Sequence, residues 1–337
     1  MDNLKSAESI KSFLQGKDDK ALFAEANRVR EQVFGNEVYL RGVIEFTNFC
    51  KQNCNYCGLR AQNREISRYR ITKEELLDSV KEAISHGLKT IVLQGGEDPF
   101  YTAEWFADVV SEIKRDNIAV TLSLGEQPYD ALKLWRDAGA DRYLIRIEEF
   151  NDSIYMNARP GHMWQERFKV LDDLRQLGYE VGSGFMVGLP GSSLDDLANS
   201  ILKISKLDLH MIGIGPFIAH PQTPFYNEIN GDIDLSLRTL ALVRILNPYA
   251  NMPSTSALES ASVGARIKGM QVGCNVMMPS ITPTRVKKLY NIYPGKNPKE
   301  DSIKFAIENI KQMVKDAGYD SSDSIGCSPK LKLENPV

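Results

Sequence analysis

The sequence predicts an α/β fold, a closed (β/α)8 barrel of the TIM type, and three observations carry that prediction. Short apolar, β-branched runs recur eight times along the chain. Each is followed by a stretch with helical periodicity. The unusual residues (glycines, charges, clustered cysteines) gather where the runs end, as they do when the loops after all strands open on one face. An open doubly wound sheet is the alternative arrangement, and the count of eight favours the barrel. A barrel takes about 250 residues. The chain has 337, which leaves an N-terminal helical extension over 1–37 and a short C-terminal tail over 319–337 around a barrel over 38–318.

The extension carries Asp2, Lys5, Glu8 and Lys11 and lacks the apolar core of a signal peptide. The first strand, Val38–Phe46, runs into a loop with Cys50, Cys54 and Cys57, and a helix over Lys73–His86 ends at Gly87. The second, Lys89–Gln94, opens into Gln94-Gly95-Gly96-Glu97-Asp98-Pro99 ahead of a helix over Ala103–Arg115. Gly-Gly and Asp-Pro are turn dipeptides, and glycines also admit a ligand close to the backbone. The third, Ala119–Gly125, presents Thr121 and Ser123 and precedes a helix over Pro128–Ala138.

In the fourth, Arg142–Glu148, alternation puts Arg142, Arg146 and Glu148 on one face. Charges in a packed interior need partners, so Arg146 and Glu148 are expected either to meet a polar ligand or to pair with each other. Arg167 sits early in the next helix, Trp164–Leu177, where it can reach the same mouth or stay on the surface. The glycine-rich fifth strand, Val181–Leu189, allows close approach by a ring system, and a helix over Leu194–Lys206 follows. The sixth is Met211–Ile218, with His220 beyond it read as a plain loop residue, followed by a helix over Leu235–Leu246. The seventh, Asn251–Ala257, offers hydroxyls at Thr255 and Ser256, and its helix is Leu258–Lys268. The eighth, Cys274–Pro279, carries Met277 and Met278, which suit core filling. The last helix is Ser302–Ala317.

Composition is ordinary for a globular chain, at 42% hydrophobic and 25% charged. A net charge of -3 sets up no strong field for nucleic acid or an anionic surface. No run approaches about 18 apolar residues, so no membrane span is expected. Three of the five cysteines fall between Cys50 and Cys57. Such clustering in a long chain indicates a metal site in a reducing compartment, here the cytoplasm, rather than a disulfide framework.

The spacing is C-x3-C-x2-C. Three thiolates in one loop suit a cubane cluster and leave its fourth iron without a protein ligand. A zinc site wants four protein ligands, usually as two separated pairs. The nearest histidine in sequence is His86, and Cys274 or Cys327 would have to come from far along the chain. With an aromatic residue just before its last cysteine, the loop resembles the signature of the radical S-adenosylmethionine (SAM) superfamily. That resemblance implies a [4Fe-4S] cluster on Cys50, Cys54 and Cys57, SAM on the open iron, and reductive cleavage to a 5′-deoxyadenosyl radical.

Longer strings, among them "YLRGVIEFTNFCKQNCNYCGLR", "TIVLQGGEDPFY", "MIGIGPFIAHPQTP" and "LYNIYPGK", make roughly residues 38–296 similar to the HydE family of [FeFe]-hydrogenase maturases. The resemblance implies that Tyr56, Gln94, Gly95, Thr121, Ser123, Glu148, Arg167 and Leu189 line SAM. It implies that Arg146, Met211, Thr255, Ser256, Met278, Tyr290 and Tyr293 line a substrate cavity. It further implies a cysteine-bound Fe(CO)2(CN) organometallic substrate, a radical SAM tyrosine lyase and a GTPase scaffold as maturation partners, and a flavodoxin or ferredoxin as electron donor. Some relatives carry a second cluster on cysteines after the "YPGK" segment. Here the chain continues without cysteine until Cys327, so no second cluster is expected. A methylornithine synthase-like mutase shares the barrel and the motif. A biotin synthase-like sulfur inserter would need further cysteines on inner strands, where Cys274 alone is placed. A non-enzymatic iron–sulfur carrier would have no need of charges ringing a barrel mouth.

Overall fold

A computed structural model describes Leu4 and residues 6–298 and 300–334. Met1–Asn3, Lys5, Lys299 and residues 335–337 lie outside the described residues, and with them parts of the expected extension, of the segment after "YPGK" and of the expected tail.

Two helices come first, α1 (Ala7–Leu14) and α2 (Asp19–Phe34), started by the side chains of Ser6 and Asp18, which accept backbone N–H groups of the first turn. The chain then enters β1 (Glu37–Leu40) and β2 (Gly42–Thr47). Strands and helices alternate from there as α3 (Lys73–Ser85), β3 (Thr90–Gly95), α4 (Ala103–Lys114), β4 (Ala119–Ser123), α5 (Tyr129–Asp137) and β5 (Arg142–Leu144). Next come α6 (Asp152–Ala158), α7 (Trp164–Gln176), β6 (Glu180–Ser183), β7 (Met186–Val187), α8 (Leu194–Lys206), β8 (Met211–Ile212), β9 (Gly215–Pro216) and α9 (Ile233–Leu246). The chain ends with α10 (Ser256–Ala261), α11 (Ala265–Gln271), β10 (Val276–Met277), α12 (Thr284–Lys287), α13 (Ile303–Asp316), β11 (Asp320–Ser322) and α14 (Lys330–Glu334).

Strands β2, β3, β4, β5, β6 and β8 form one parallel sheet in that order. Parallel bridges from Met211 to Asn251, Pro253 to Val276 and Val43 to Ser280 carry the ladder through the seventh and eighth strands and back to the first. The sheet therefore closes, and the predicted (β/α)8 barrel is the fold. Both faces of its strands are covered, so the runs are nearly continuous in Val, Ile and Leu, such as Ile91, Val92 and Leu93, all of them buried. The helices outside start on well-made caps: Thr72 with Glu75 and Ser193 with Asp196 form reciprocal capping boxes.

Five runs are cut differently from the sequence expectation. Val38–Phe46 divides at Arg41 because its two halves have different neighbours: Glu37–Tyr39 pair with β11, while β2 pairs with β3. The fourth strand stops at Leu144, ahead of a turn where Glu148 takes φ 73°. Glycines and a proline break the fifth and sixth runs, and their outer parts pair separately as β7 and β9. The seventh strand is reduced to bridges at Asn251 and Pro253, since Pro253 has no N–H to donate. Two helices also differ. Asn151 caps α6, a helix that the sequence reading did not place, with its side chain accepting from Ser153 and Ile154 N–H. The helix expected over Leu258–Lys268 breaks between Ala261 and Ala265, where Gly264 is left-handed.

The segment expected as a tail closes the floor of the barrel. Ile325 O accepts from Thr90 Oγ1 at 2.8 Å, and Gly326 O from Arg41 Nη2 at 3.0 Å and Asn251 Nδ2 at 3.1 Å. Arg142, on the same face as Arg146 in the sequence reading, belongs to this floor. It is fully buried, pairs with Glu180 at 3.0 Å, and reaches Cys327 Sγ at 3.3 Å.

Candidate active site

The opposite end of the barrel holds a cavity of about 310 Å³, bounded on one side by the cysteine loop. That loop is held by backbone groups. Lys51 N donates to Glu97 O at 2.9 Å, Asn55 N to Ala158 O at 2.8 Å and Gly58 N to Ile292 O at 3.0 Å. Arg68 gathers the carbonyls of Leu59, Arg60, Asn63 and Asn48 on its two terminal nitrogens. Glu97 is a second clamp: its N–H points at Cys50 Sγ (3.4 Å) and its carboxylate accepts from Gln52 Nε2 (2.8 Å).

All three cysteines line the cavity, together with Gln52 and Glu97. Burial pushes the Cys50 thiol up to about 11 and the Cys57 thiol higher still, so a positive centre is needed to hold them as thiolates. Among the described residues, the group of three metal-ligating side chains with all donor atoms within 4.8 Å of one another is Glu126, His162 and Glu166. At least one pair of the three thiols thus stands more than 4.8 Å apart, wider than the roughly 3.8 Å sulfur spacing that one tetrahedral zinc at about 2.3 Å from each would impose. A cubane, with one iron per cysteine, fits that wider set.

The glycine pair after β3 works differently from the sequence expectation. A Cβ at Gly96 would collide with Phe49 O and Cys50 Cβ, and one at Gly95 would meet the Phe46 ring at 2.6 Å. Protein, not ligand, takes the space at both: the absence of side chains lets the cysteine loop lie against β3.

Charges form the next wall. Arg146 lies 3.0 Å from Glu148, Arg167 lies 3.8 Å from Glu148 and 2.7 Å from Glu126, and Glu126 also holds Arg159 at 2.5 Å. Glu148 sits in left-handed backbone, which is strained for a glutamate. Burial alone would raise the Glu126 carboxyl, but Arg167 and Arg159 outweigh it and hold it down to about 2. Glu126 and Arg159 were missed from sequence. Glu126 had a signal, standing directly after a strand-end glycine, whereas Arg159, in the loop beyond α6, had none.

The remaining wall comes from the seventh and eighth strands and the loop after α12. Ser256 Oγ and Tyr293 OH are 2.7 Å apart, and Gln94 Nε2 donates to Tyr290 OH at 3.1 Å. Lys296 pairs with Glu45 at 3.1 Å, with Ser280 Oγ donating to the same carboxylate. Of the residues named from sequence, Gln94, Gly95, Ser123, Arg146, Glu148, Arg167, Thr255, Ser256, Met278, Tyr290 and Tyr293 line the cavity with the cysteines. Four stand off its lining. Tyr56 and Leu189 pack with Phe217 and Phe225 behind the loop. Thr121 is buried within β4. Met211 lies at the floor, where its sulfur accepts from Arg41 Nη1 at 3.0 Å. Arg266, Lys296, Glu45 and Gln52 were not singled out from sequence. Lys296 stood inside the "YPGK" string, and the others carried no local signal. His220, read as a plain loop residue, is buried against Gly58, and burial lowers its pKa.

Residues 44–204 match the radical SAM superfamily. The chain is 47% identical over 278 residues to the [FeFe] hydrogenase maturase subunit HydE of Thermotoga maritima, covering 82% of this chain and 80% of that one. It is 25% identical over 297 residues to 3-methylornithine synthase of Methanosarcina acetivorans, covering 87% and 83%. Among solved structures, methylornithine synthase (PylB) superposes with a TM-score of 0.83 at 23% identity, over 94% of both chains. The maturase HydG from Carboxydothermus hydrogenoformans does so at 0.79 and 19%, over 94% of this chain and 76% of that one. Both superpositions speak to the fold.

Proposed function

The chain belongs to the radical SAM superfamily and, within it, to the HydE family of hydrogenase maturases, and from that premise we propose that it cleaves SAM reductively and acts on a cysteine-bound Fe(CO)2(CN) precursor of the H-cluster. The observation that carries this is the one cavity at the barrel mouth that the three thiols, the β3 strand end, Arg167, Glu148 and Arg146 all line, with Glu126 holding Arg167 from outside the lining. Identity of 47% to the maturase, against 25% to the methylornithine synthase, favours the maturase over the mutase. A carrier has no use for a cavity of about 310 Å³ lined by charges beside its cluster.

Cys50, Cys54 and Cys57 would hold a [4Fe-4S] cluster, which would supply a low-potential electron and an iron free to bind SAM. The protein positions and shields. The Glu97 N–H toward Cys50 Sγ favours negative charge on that sulfur. Gln94, Gly95 and Ser123 present polar groups to SAM from the ends of β3 and β4. Glu148 and Arg167 are fixed by their ion pairs and so hold SAM without reorganising. Tyr56, Thr121 and Leu189 support that wall from behind. Thr255, Ser256, Tyr290 and Tyr293 offer hydroxyls to the substrate, beside Met278 and Arg146. Met211, bonded to Arg41 at the floor, stands outside this lining. The walls would keep water from the site where radical chemistry on the substrate takes place.

The chain is read as carrying one cluster, since the cysteines that hold a second one in some relatives are missing after Lys296. Residues 51–70 carry five basic residues against one acid in a chain of net charge -3. Of these, Arg70 is paired with Asp98 and Arg68 is bound to backbone carbonyls, and the exposed Lys51 and Arg64 support docking of an electron donor such as a flavodoxin or ferredoxin over the cysteine loop. The radical SAM tyrosine lyase and the GTPase scaffold are the partners on either side of the step, in the cytoplasm.

Anaerobically reconstituted protein, reduced with dithionite and given SAM, is expected to form 5′-deoxyadenosine. Cys54→Ala is expected to abolish it while the circular dichroism spectrum stays that of a folded barrel. Full activity in the variant, or none in a wild type with a full cluster and bound SAM, would sink the proposal.

A further inference from the structure

Four cations stand on the cavity wall: Arg146, Arg167, Lys296 and Arg266. The first three each have a carboxylate, at 3.0 Å (Glu148), 2.7 Å (Glu126) and 3.1 Å (Glu45) respectively. Arg266 has none within 4.0 Å among the described residues. Its Nε donates to Ser254 O at 3.1 Å, and among the described residues its terminal nitrogens take no protein acceptor. Glu259, the nearest acid along the chain, accepts from the backbone N–H of Arg266 at 3.3 Å and from that of Gly264 at 3.0 Å. The residue is 7% exposed, and burial lowers its pKa to about 10, so it still carries its charge at neutral pH. A buried, unpaired charge is costly to a folded chain and is normally compensated. Beside it Thr255 Oγ1 is buried without a partner, and the Ser256–Tyr293 hydroxyl pair offers further donors. These groups line one cavity, and among the described residues the Arg266 terminal nitrogens and Thr255 Oγ1 meet no acceptor.

We propose that Arg266 and Thr255 form the receptor for a carboxylate on the substrate, the α-carboxylate of an amino acid being the ligand of that size and charge. This rests on the function proposed above, in which the metal fragment is carried on cysteine. The planar guanidinium takes the two carboxylate oxygens side by side, Thr255 Oγ1 donates a third bond, and the bound group neutralises the orphan cation. The reacting end of the ligand is thereby turned away from α11, toward the thiols. Arg266 is a positioning residue: it fixes the substrate without touching the bond that breaks.

The test uses the cluster-loaded holoenzyme with SAM bound, titrated by calorimetry with L-cysteine and with L-cysteinamide, which differs in lacking the carboxylate charge. Wild type is expected to bind the acid about ten- to a hundredfold more tightly than the amide, the usual worth of charge-assisted hydrogen bonds. Arg266→Gln is expected to reduce that preference to within about twofold, and Arg266→Lys to restore part of it. Because the charge is uncompensated in the free protein, Arg266→Gln should melt no lower than wild type without ligand. Equal binding of the two probes by wild type, no binding of either, or a full acid preference in Arg266→Gln overturns the site. A variant that melts several degrees lower yet keeps the preference assigns Arg266 to holding α11 and also overturns it. Measuring 5′-deoxyadenosine in the same preparations separates the two readings. Product with equal probe binding removes the carboxylate site alone, whereas acid preference without product removes the function and leaves the site.

Discussion

Glu126 shows how much one side chain can organise. It accepts from Arg159 and Arg167, and through Arg167 it fixes the position of Glu148. Its folded pKa, about 2, lies below its ordinary value of 4.5. A depressed carboxylate adds stability that is fully present above the unfolded pKa and fades as pH falls through the folded one. Between about pH 4.5 and 2 the protein is therefore expected to lose up to roughly 2 kcal/mol from this group, allowing for its partial exposure. Urea unfolding across that window checks it: Glu126→Gln should be less stable at pH 7 and should converge on wild type near pH 2. Parallel curves would mean that the two arginines do not depend on Glu126. Sequence reading reached Glu148, Arg146 and Arg167 because periodicity and a helix start place them. It did not reach Arg159 or Arg266, because what makes each one unusual is a neighbour supplied by a distant segment.

Among the elements, the meeting of the cysteine loop and β3 matters most. Gly96 can be nothing larger, since its Cβ would run into backbone at Phe49 rather than into a side chain able to move. Gly96→Ala is expected to cost about 1–3 kcal/mol through overpacking and to lower bound iron per chain, because the strain falls on Cys50. Thermal melting and iron analysis read the two effects, and an alanine variant with full iron and an unchanged melt would show that the loop can shift freely. The glycines were legible as an interruption of a strand pattern, but what they make room for was not. The strand breaks follow the same logic: Gly182, Gly184 and Pro216 announce them, while the pairing of β7 with β9 is a matter of which strands end up adjacent. The α6 helix had a readable signal in Asn151 followed by Asp152, and it was passed over.

At the scale of the molecule, the barrel is open at one end and stopped at the other. The stop is residues 325–328, whose backbone serves Arg41, Thr90, Asn251 and Glu180. Burial holds Arg41 down to about 9, so its bonds to Gly326 O and Met211 Sδ are hard to forgo. A chain ending after Ser322 keeps β11 but loses this stop, and it is expected to melt at least 5 °C lower, or to aggregate, with two arginines opened to solvent. A wild-type melt in the truncated chain would mean that the floor seals itself without the last residues.

The sequence by itself determined the barrel, the cysteine loop and the residues at most strand ends. Each depends on a short-range pattern: alternating strand and helix periods, thiols within one loop, and turn glycines where a strand must stop. The tertiary structure decided which charges share a carboxylate, which cation has none, that Met211 and Arg142 belong to the floor, and that the last residues close it. Those outcomes depend on contacts between segments up to about 285 positions apart, such as Arg41 with Gly326. Burial and pairing are properties of the assembled neighbourhood, and no local pattern along the chain encodes them.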